Sequence, residues 1–260
     1  MNILDQFRLH DKRVLLTGGS RGLGRSMALA LASAGADLIL VGRDQETLTQ
    51  TADEIRSLGR TVDTLCQDMN QPEACETACE EALNNYGPID ILVNNVGGRR
   101  ENIPNEEITI AKWRELMDLN LTSAVVCTKM IGSAMISRGQ GGSIINIASI
   151  NALVAGRNIS GRHYETAKAA MVQFTRSVAA DWAPKGVRIN AILPGGFMTD
   201  ANKRWAKIHP EVIESFIQSI PLGRFGEPAE LGPLAVYLAS NASSYMTGAS
   251  LVIDGGYTLL

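Results

Sequence analysis

Charge of one sign is what this chain most plainly lacks. Its 24 basic and 27 acidic residues give a formal net charge of -3 with no long basic run, which argues against nucleic acid as a main partner. Cysteine is scarce: there are four, and Cys75 and Cys79, four apart on an expected helix, have neither a CxxC nor a metal-type spacing. They read as ordinary reduced thiols. Histidine is scarcer still. His163 and His209 have no neighbouring residue that suggests a metal, so both read as loop or solvent-facing side chains and no metal site is expected. The opening Met1-Asn2-Ile3-Leu4-Asp5 has neither the basic nor the apolar segment of a signal peptide, and no apolar run approaches the length of a bilayer span. A cytoplasmic protein with no membrane partner is expected. Low-complexity linkers and short-period repeats are missing too, so nothing marks a domain boundary.

What is present is apolar content, 45% of 260 residues, enough for one large α/β core. Strand-like runs at 13–17, 37–41, 90–93, 143–148, 187–192 and 250–253 alternate with helical stretches. Such βα units predict a mostly parallel sheet covered by helices on both faces, in a single domain over residues 1–260. Directly after the first strand, Thr17-Gly18-Gly19-Ser20-Arg21-Gly22-Leu23-Gly24 leads into a helix over 25–34. Glycines at a strand-to-helix turn let the backbone approach a pyrophosphate, which then sits at the positive end of the helix. Their spacing here is GxxxGxG rather than the usual GxGxxG.

Further along, Tyr164 and Lys168 lie four apart in a run of helix formers, which puts a phenol and an ammonium on one helical face. A free phenol titrates near about 10; a neighbouring ammonium favours the phenolate, and lowering that value by roughly three units needs about 4 kcal/mol. Ser149 ends the apolar run Ile144-Ile145-Asn146-Ile147-Ala148, at the carboxyl end of a strand, where open α/β sheets place their ligands. Its hydroxyl can donate to a carbonyl oxygen.

With Asn94-Asn95-Val96-Gly97, Asn120 and Pro194-Gly195, these motifs resemble the short-chain dehydrogenase/reductase family, in order and from about Lys12 to Gly256. The resemblance implies a Rossmann-type doubly wound sheet of about seven strands. It also implies an EC 1.1.1.- oxidoreductase that interconverts a secondary alcohol and a ketone by hydride transfer with a nicotinamide cofactor. In that family the tyrosine, here Tyr164, trades a proton with the substrate oxygen. Lys168 lowers the tyrosine pKa and holds the nicotinamide ribose, Ser149 polarises the carbonyl, and Asn120 holds a water in a proton relay to the lysine. Cofactor contacts are implied for Gly18, Ser20, Arg21, Gly22, Leu23 and Gly24 in the turn, for Asp68 and Met69 after the third strand near the adenine, and for Asn95 and Gly97. Tyr164, Lys168, Pro194, Gly195 and Phe197 are implied as well, with Thr199 meeting the nicotinamide carboxamide. The resemblance further implies a lid over about 196–220 and a homotetramer that uses the last strand. Two departures stand out. Tyr164 lies fifteen positions after Ser149, two more than the family commonly has, and Val96 replaces the usual alanine.

NAD enzymes place an acid at the end of the second strand to accept from the ribose 2′-hydroxyl. Gly42 occupies that position, while Arg43 and Arg21 supply two guanidinium groups suited to a 2′-phosphate. NADP is expected ahead of NAD; the competing reading leaves both arginines in solvent and makes Asp44 the ribose acid. Arg99, Arg100, Arg157 and Arg162 fall in segments that the resemblance implies lie around the substrate mouth, with Arg100 and Arg157 as the candidates for contact. Either they attract an anionic hydroxy or keto substrate such as a sugar acid, or they are solvated or paired with Glu101, Glu106 and Glu107. Three functions stay open: a sugar or sugar-acid dehydrogenase resembling gluconate 5-dehydrogenase, a 3-oxoacyl-ACP or CoA reductase, and a non-catalytic nicotinamide-binding regulator. The joint presence of Asn120, Ser149, Tyr164 and Lys168 argues against the last, which needs no acid or base.

Overall fold

The computed structural model describes residues 2–98, 101–156 and 160–259. Short runs rich in Val, Ile and Leu become strands β1 (Arg13–Thr17), β2 (Asp37–Gly42), β3 (Val62–Cys66), β4 (Ile91–Asn94), β5 (Gly142–Ile147), β6 (Val187–Pro194) and β7 (Ser250–Ile253). They pair in parallel in the order β3-β2-β1-β4-β5-β6-β7. The order reverses between β1 and β4, so the carboxyl ends of these strands flank a crevice. The doubly wound sheet expected from the sequence is therefore present. Strand ends differ from the sequence reading by one or two residues, because pairing decides them: Gly42 is held opposite Cys66 and Pro194 opposite Ile253.

Helices α1 (Gly22–Ser33), α2 (Gln45–Ser57) and α9 (Gly232–Ala239) cover one face around Met27, Leu31, Leu48, Ile55 and Leu238. On the other, α3 (Pro72–Asn85), α5 (Ser123–Arg138) and α6 (Arg162–Trp182) pack around Cys79, Cys127, Ile131 and Ala179. A buried polar chain ties the centre of the sheet to two of these helices. Asn94 donates to Asn146 Oδ1 at 2.8 Å and to Thr128 Oγ1 on α5 at 3.0 Å, and Asn146 donates to Thr175 Oγ1 on α6 at 2.9 Å. Buried amides need such partners, and these bonds fix the helix that carries Tyr164 and Lys168.

One sequence expectation is corrected. Helix α4 (Ile110–Met117), a π turn (Asp118–Thr122) and α5 form one helical run, Ile110–Arg138, of 29 residues, long and apolar enough by length and composition to cross a membrane. Asp118 and Lys129 interrupt the apolar run in the sequence, whereas backbone hydrogen bonding continues through the π turn. Half of its most apolar window is buried within the protein, where the run packs on α3 and β5. Beyond β6, helices α7 (Asp200–Ile208) and α8 (Pro210–Gln218) rest on a small cluster of Ile213, Ile220 and Phe225.

Candidate active site

Strands β1 and β4 are pinned together at their carboxyl ends. Thr17 Oγ1 accepts from the Asn95 amide at 3.0 Å, and Asn95 Nδ2 donates to the carbonyls of Thr17 and Gly18 at 3.2 and 3.0 Å. Gly18 turns the chain with φ +69°, and α1 starts so close that a Cβ on Gly24 would overlap the Gly18 carbonyl. Only glycine permits this approach. Arg21 stands at the N-cap of α1 without a side-chain capping bond, so the first N–H groups of the helix are left for a ligand.

The crevice opens into a cavity of about 790 Å³. Of the residues expected to touch a cofactor, Gly18, Ser20, Arg21, Gly22, Leu23 and Gly24 line it from the turn, and Arg43, Asp68 and Met69 from the ends of β2 and β3. Asn95, Gly97, Pro194, Gly195 and Thr199 line it from the other side of the sheet, with Ser149, Tyr164 and Lys168. Phe197 is the exception: its ring is 4% exposed and packs over Gly226, whose position a Cβ would bring within 2.7 Å of it. It is not among the residues that line the cavity. The chain folds back there in a short bridge between Phe197 and Gly226, which turns the ring inward.

At the β2 end stands Gly42, where a Cβ would come within 3.2 Å of the Leu48 side chain and 3.3 Å of Ser20 Oγ, a tight contact that small side-chain shifts relieve. Asp44 caps α2 instead, accepting from the Thr47 amide and hydroxyl at 2.9 Å each. Those bonds hold its carboxyl below the usual range, with Arg21 and Arg43 adding to the effect. Capping accounts for Asp44 without a ribose.

At the opposite end, Ser149 follows β5 and its Oγ accepts from the Asn151 amide at 3.1 Å, which leaves its proton to donate. Lys168 is 2% exposed; its Nζ donates to the Ile147 carbonyl at 2.8 Å and lies 5.8 Å from the centre of the Tyr164 ring. Burial pulls its pKa down to about 8. Asn120, fully buried in the π turn, donates to the carbonyls of Leu116 at 2.9 Å and Gly98 at 3.1 Å and accepts from the Gly98 amide at 2.8 Å. Between Asn120 and Lys168 lies Gly97, φ +151°, where a Cβ would come within 2.9 Å of Asn120 Oδ1 and 3.1 Å of Lys168 Nζ. A bare Cα is thus what leaves room for both the amide oxygen and the ammonium at this point.

Arg99, Arg100 and Arg157 lie outside the described residues. Arg162 is already engaged, at 2.8 and 2.9 Å from the two carboxylate oxygens of Glu165, which also accepts from the Gly156 amide at 2.8 Å. Glu101 faces Lys112 at 2.6 Å. His163 is buried at 1% exposure, against the expectation of a loop or solvent-facing ring, because α6 begins at Arg162 and turns this position inward. His209 is half-exposed and 3.5 Å from Glu211. Sequence reasoning missed Asp200, Ala201 and Arg204, which line the cavity from α7. Their i, i+1, i+4 spacing just after Thr199 was the available signal.

A family profile described as Enoyl-(Acyl carrier protein) reductase matches residues 18–258. The galactitol 2-dehydrogenase (L-tagatose-forming) of Cereibacter sphaeroides is 37% identical over 254 residues, covering 97% of each chain. The 2-dehydro-3-deoxy-D-gluconate 5-dehydrogenase of Bacillus subtilis is 36% identical over 257 residues, again 97% of each. A gluconate 5-dehydrogenase from Burkholderia cenocepacia, solved in complex with NADP and tartrate, superimposes with a TM-score of 0.90 at 34% identity over 99% of both chains.

Proposed function

The chain belongs to the short-chain dehydrogenase/reductase family, and from that premise we propose that it interconverts the secondary alcohol and ketone of a sugar acid or related anionic hydroxy acid, with NADP as cofactor. The observation that carries the chemistry is Lys168, a buried ammonium 5.8 Å from the Tyr164 ring in the cavity that also holds Ser149 and the glycine turn. An ammonium there stabilises the phenolate and makes Tyr164 an acid and base usable near neutral pH. Ser149 donates to the substrate oxygen, and Tyr164 exchanges a proton with it. Lys168 passes that proton onward through a water held by Asn120, the two residues lying on either side of Gly97. When bound, the nicotinamide supplies or takes the hydride. The uncapped start of α1 holds the diphosphate, Arg21 and Arg43 the 2′-phosphate, Asp68 the adenine and Thr199 the carboxamide. Residues 196–220, with α7 and α8, form the lid.

The glycine where NAD enzymes place an acid, Gly42, supports NADP, as does the NADP-bound Burkholderia relative. The anionic substrate draws support from the gluconate-named relatives; the galactitol enzyme marks a neutral polyol as the nearest competitor. A panel of 5-ketogluconate, an acetoacetyl thioester and neutral ketones, run with NADPH and NADH at low and high salt, tests the reading. We expect 5-ketogluconate with NADPH to be preferred and salt to weaken that preference. Arg43→Ala should weaken NADPH alone, by about 1.5–3 kcal/mol for a lost charge-assisted contact. Preference for neutral ketones without salt dependence overturns the anionic substrate, and preference for the thioester moves the protein to the 3-oxoacyl reductases. Equal losses of NADPH and NADH in Arg43→Ala overturn the cofactor choice.

We also propose a homotetramer in the reducing cytoplasm, in keeping with four free cysteines. Edge strand β7 has no fully buried residue and leaves Val252 41% exposed, and Ile110 on α4 is 67% exposed. Apolar edges and faces of this kind call for cover. Light scattering should return four times the chain mass; a monomer refutes the assembly.

A further inference from the structure

We propose that Arg204 on α7 clamps the cofactor diphosphate and thereby draws this helix over the cleft. The inference rests on the dinucleotide reading above. Helix α7 has no buried residue; its start is tied down where Thr199 Oγ1 accepts from the Asn202 amide at 3.4 Å and Asn202 Nδ2 donates to the Phe197 carbonyl at 2.7 Å. That start lies beside the glycine turn: the Thr199 methyl is 3.6 Å from where a Cβ on Gly22 would stand. Asp200, Ala201 and Arg204 form the helix face that lines the cavity. Asp200 lies 3.8 Å from Lys203, whereas among the described residues Arg204 takes part in no ion pair. An unpaired guanidinium therefore overlooks the same cavity as the uncapped end of α1, and its planar fork of donors matches the oxygens of a diphosphate.

The neighbouring residue supplies a reporter. Trp205 points away from the cleft, packed against the cluster of Ile213, Ile220 and Phe225, with its ring 5.9 Å from His209. Movement of α7 toward the diphosphate changes the surroundings of this indole.

The experiment is calorimetric titration of wild type, Arg204→Gln and Arg204→Lys with NADPH and with NADH, alongside tryptophan fluorescence with Trp205→Phe as control. The diphosphate is common to both cofactors, so Arg204→Gln should weaken both by about tenfold, with Arg204→Lys in between. The Trp205 part of the fluorescence change, taken with NADP+ as the difference between wild type and Trp205→Phe because Trp113 and Trp182 also emit, should vanish in Arg204→Gln at saturating cofactor. Arg43→Ala provides the contrast, since its loss is confined to NADPH. Unchanged affinity of Arg204→Gln for both cofactors overturns the clamp while leaving the dinucleotide reading intact. A loss confined to NADPH overturns it too, placing Arg204 on the 2′-phosphate. Lower affinity with an undiminished Trp205 part of the fluorescence change overturns the coupling to helix movement. A wild type that binds neither cofactor removes the dinucleotide reading and the clamp with it.

Discussion

Tyr164→Phe should lower kcat by about 10²–10⁴-fold, the usual worth of a positioned acid or base, while leaving the Kd for NADPH within about twofold. The phenyl ring keeps its place on the first turn of α6 and its face toward Lys168, so packing and the cofactor cavity persist. What disappears is the hydroxyl. Steady-state kinetics on the preferred substrate, paired with a cofactor titration, separates the two effects. A variant with wild-type kcat shows that another group moves the proton; one that loses cofactor affinity in proportion to kcat shows that Tyr164 acts in binding.

Lys168→Met should be equally damaging to turnover and should also change how stability depends on pH. In the unfolded chain this ammonium keeps its ordinary pKa of 10.5, whereas in the folded protein burial lowers it to about 8. Between those values the unfolded state binds more protons, so the wild type gains stability as pH rises. Burying the charge therefore costs stability at neutral pH, and the cost fades toward pH 10.5. The variant has no such group. From about pH 7 to about pH 10, wild type should gain about 2–3 kcal/mol relative to Lys168→Met, some 5–10 °C in Tm for a chain of this size. The comparison is a slope, so it does not depend on the constant loss of the bond from Nζ to the Ile147 carbonyl. A stability difference that stays flat across that range means the amine is not buried as an ammonium.

Much of this site was legible without coordinates, because its parts are local. The alternation of apolar strands with helical runs implied a doubly wound parallel sheet, since each pattern is a period of two to four residues and needs no knowledge of the partner. Thr17 to Gly24 could be read as a phosphate turn because glycine spacing and the strand before it lie within eight residues. Tyr164 and Lys168 share a helical face by their spacing alone, and Ser149 marks a strand end.

Tertiary structure decided what depends on residues distant in sequence. Gly97 matters because Asn120 and Lys168, from two other elements, converge on its Cα. Glu165 engages Arg162, one of the arginines expected near the substrate, and Thr47 engages Asp44, the alternative ribose acid, as a helix cap. Phe197 turns away from the cavity toward Gly226, while Arg204 turns toward it. In each case a side chain of suitable chemistry could face solvent, core or cleft. The direction is set by hydrogen bonds and contacts between elements brought together by the sheet order, which no local periodicity encodes.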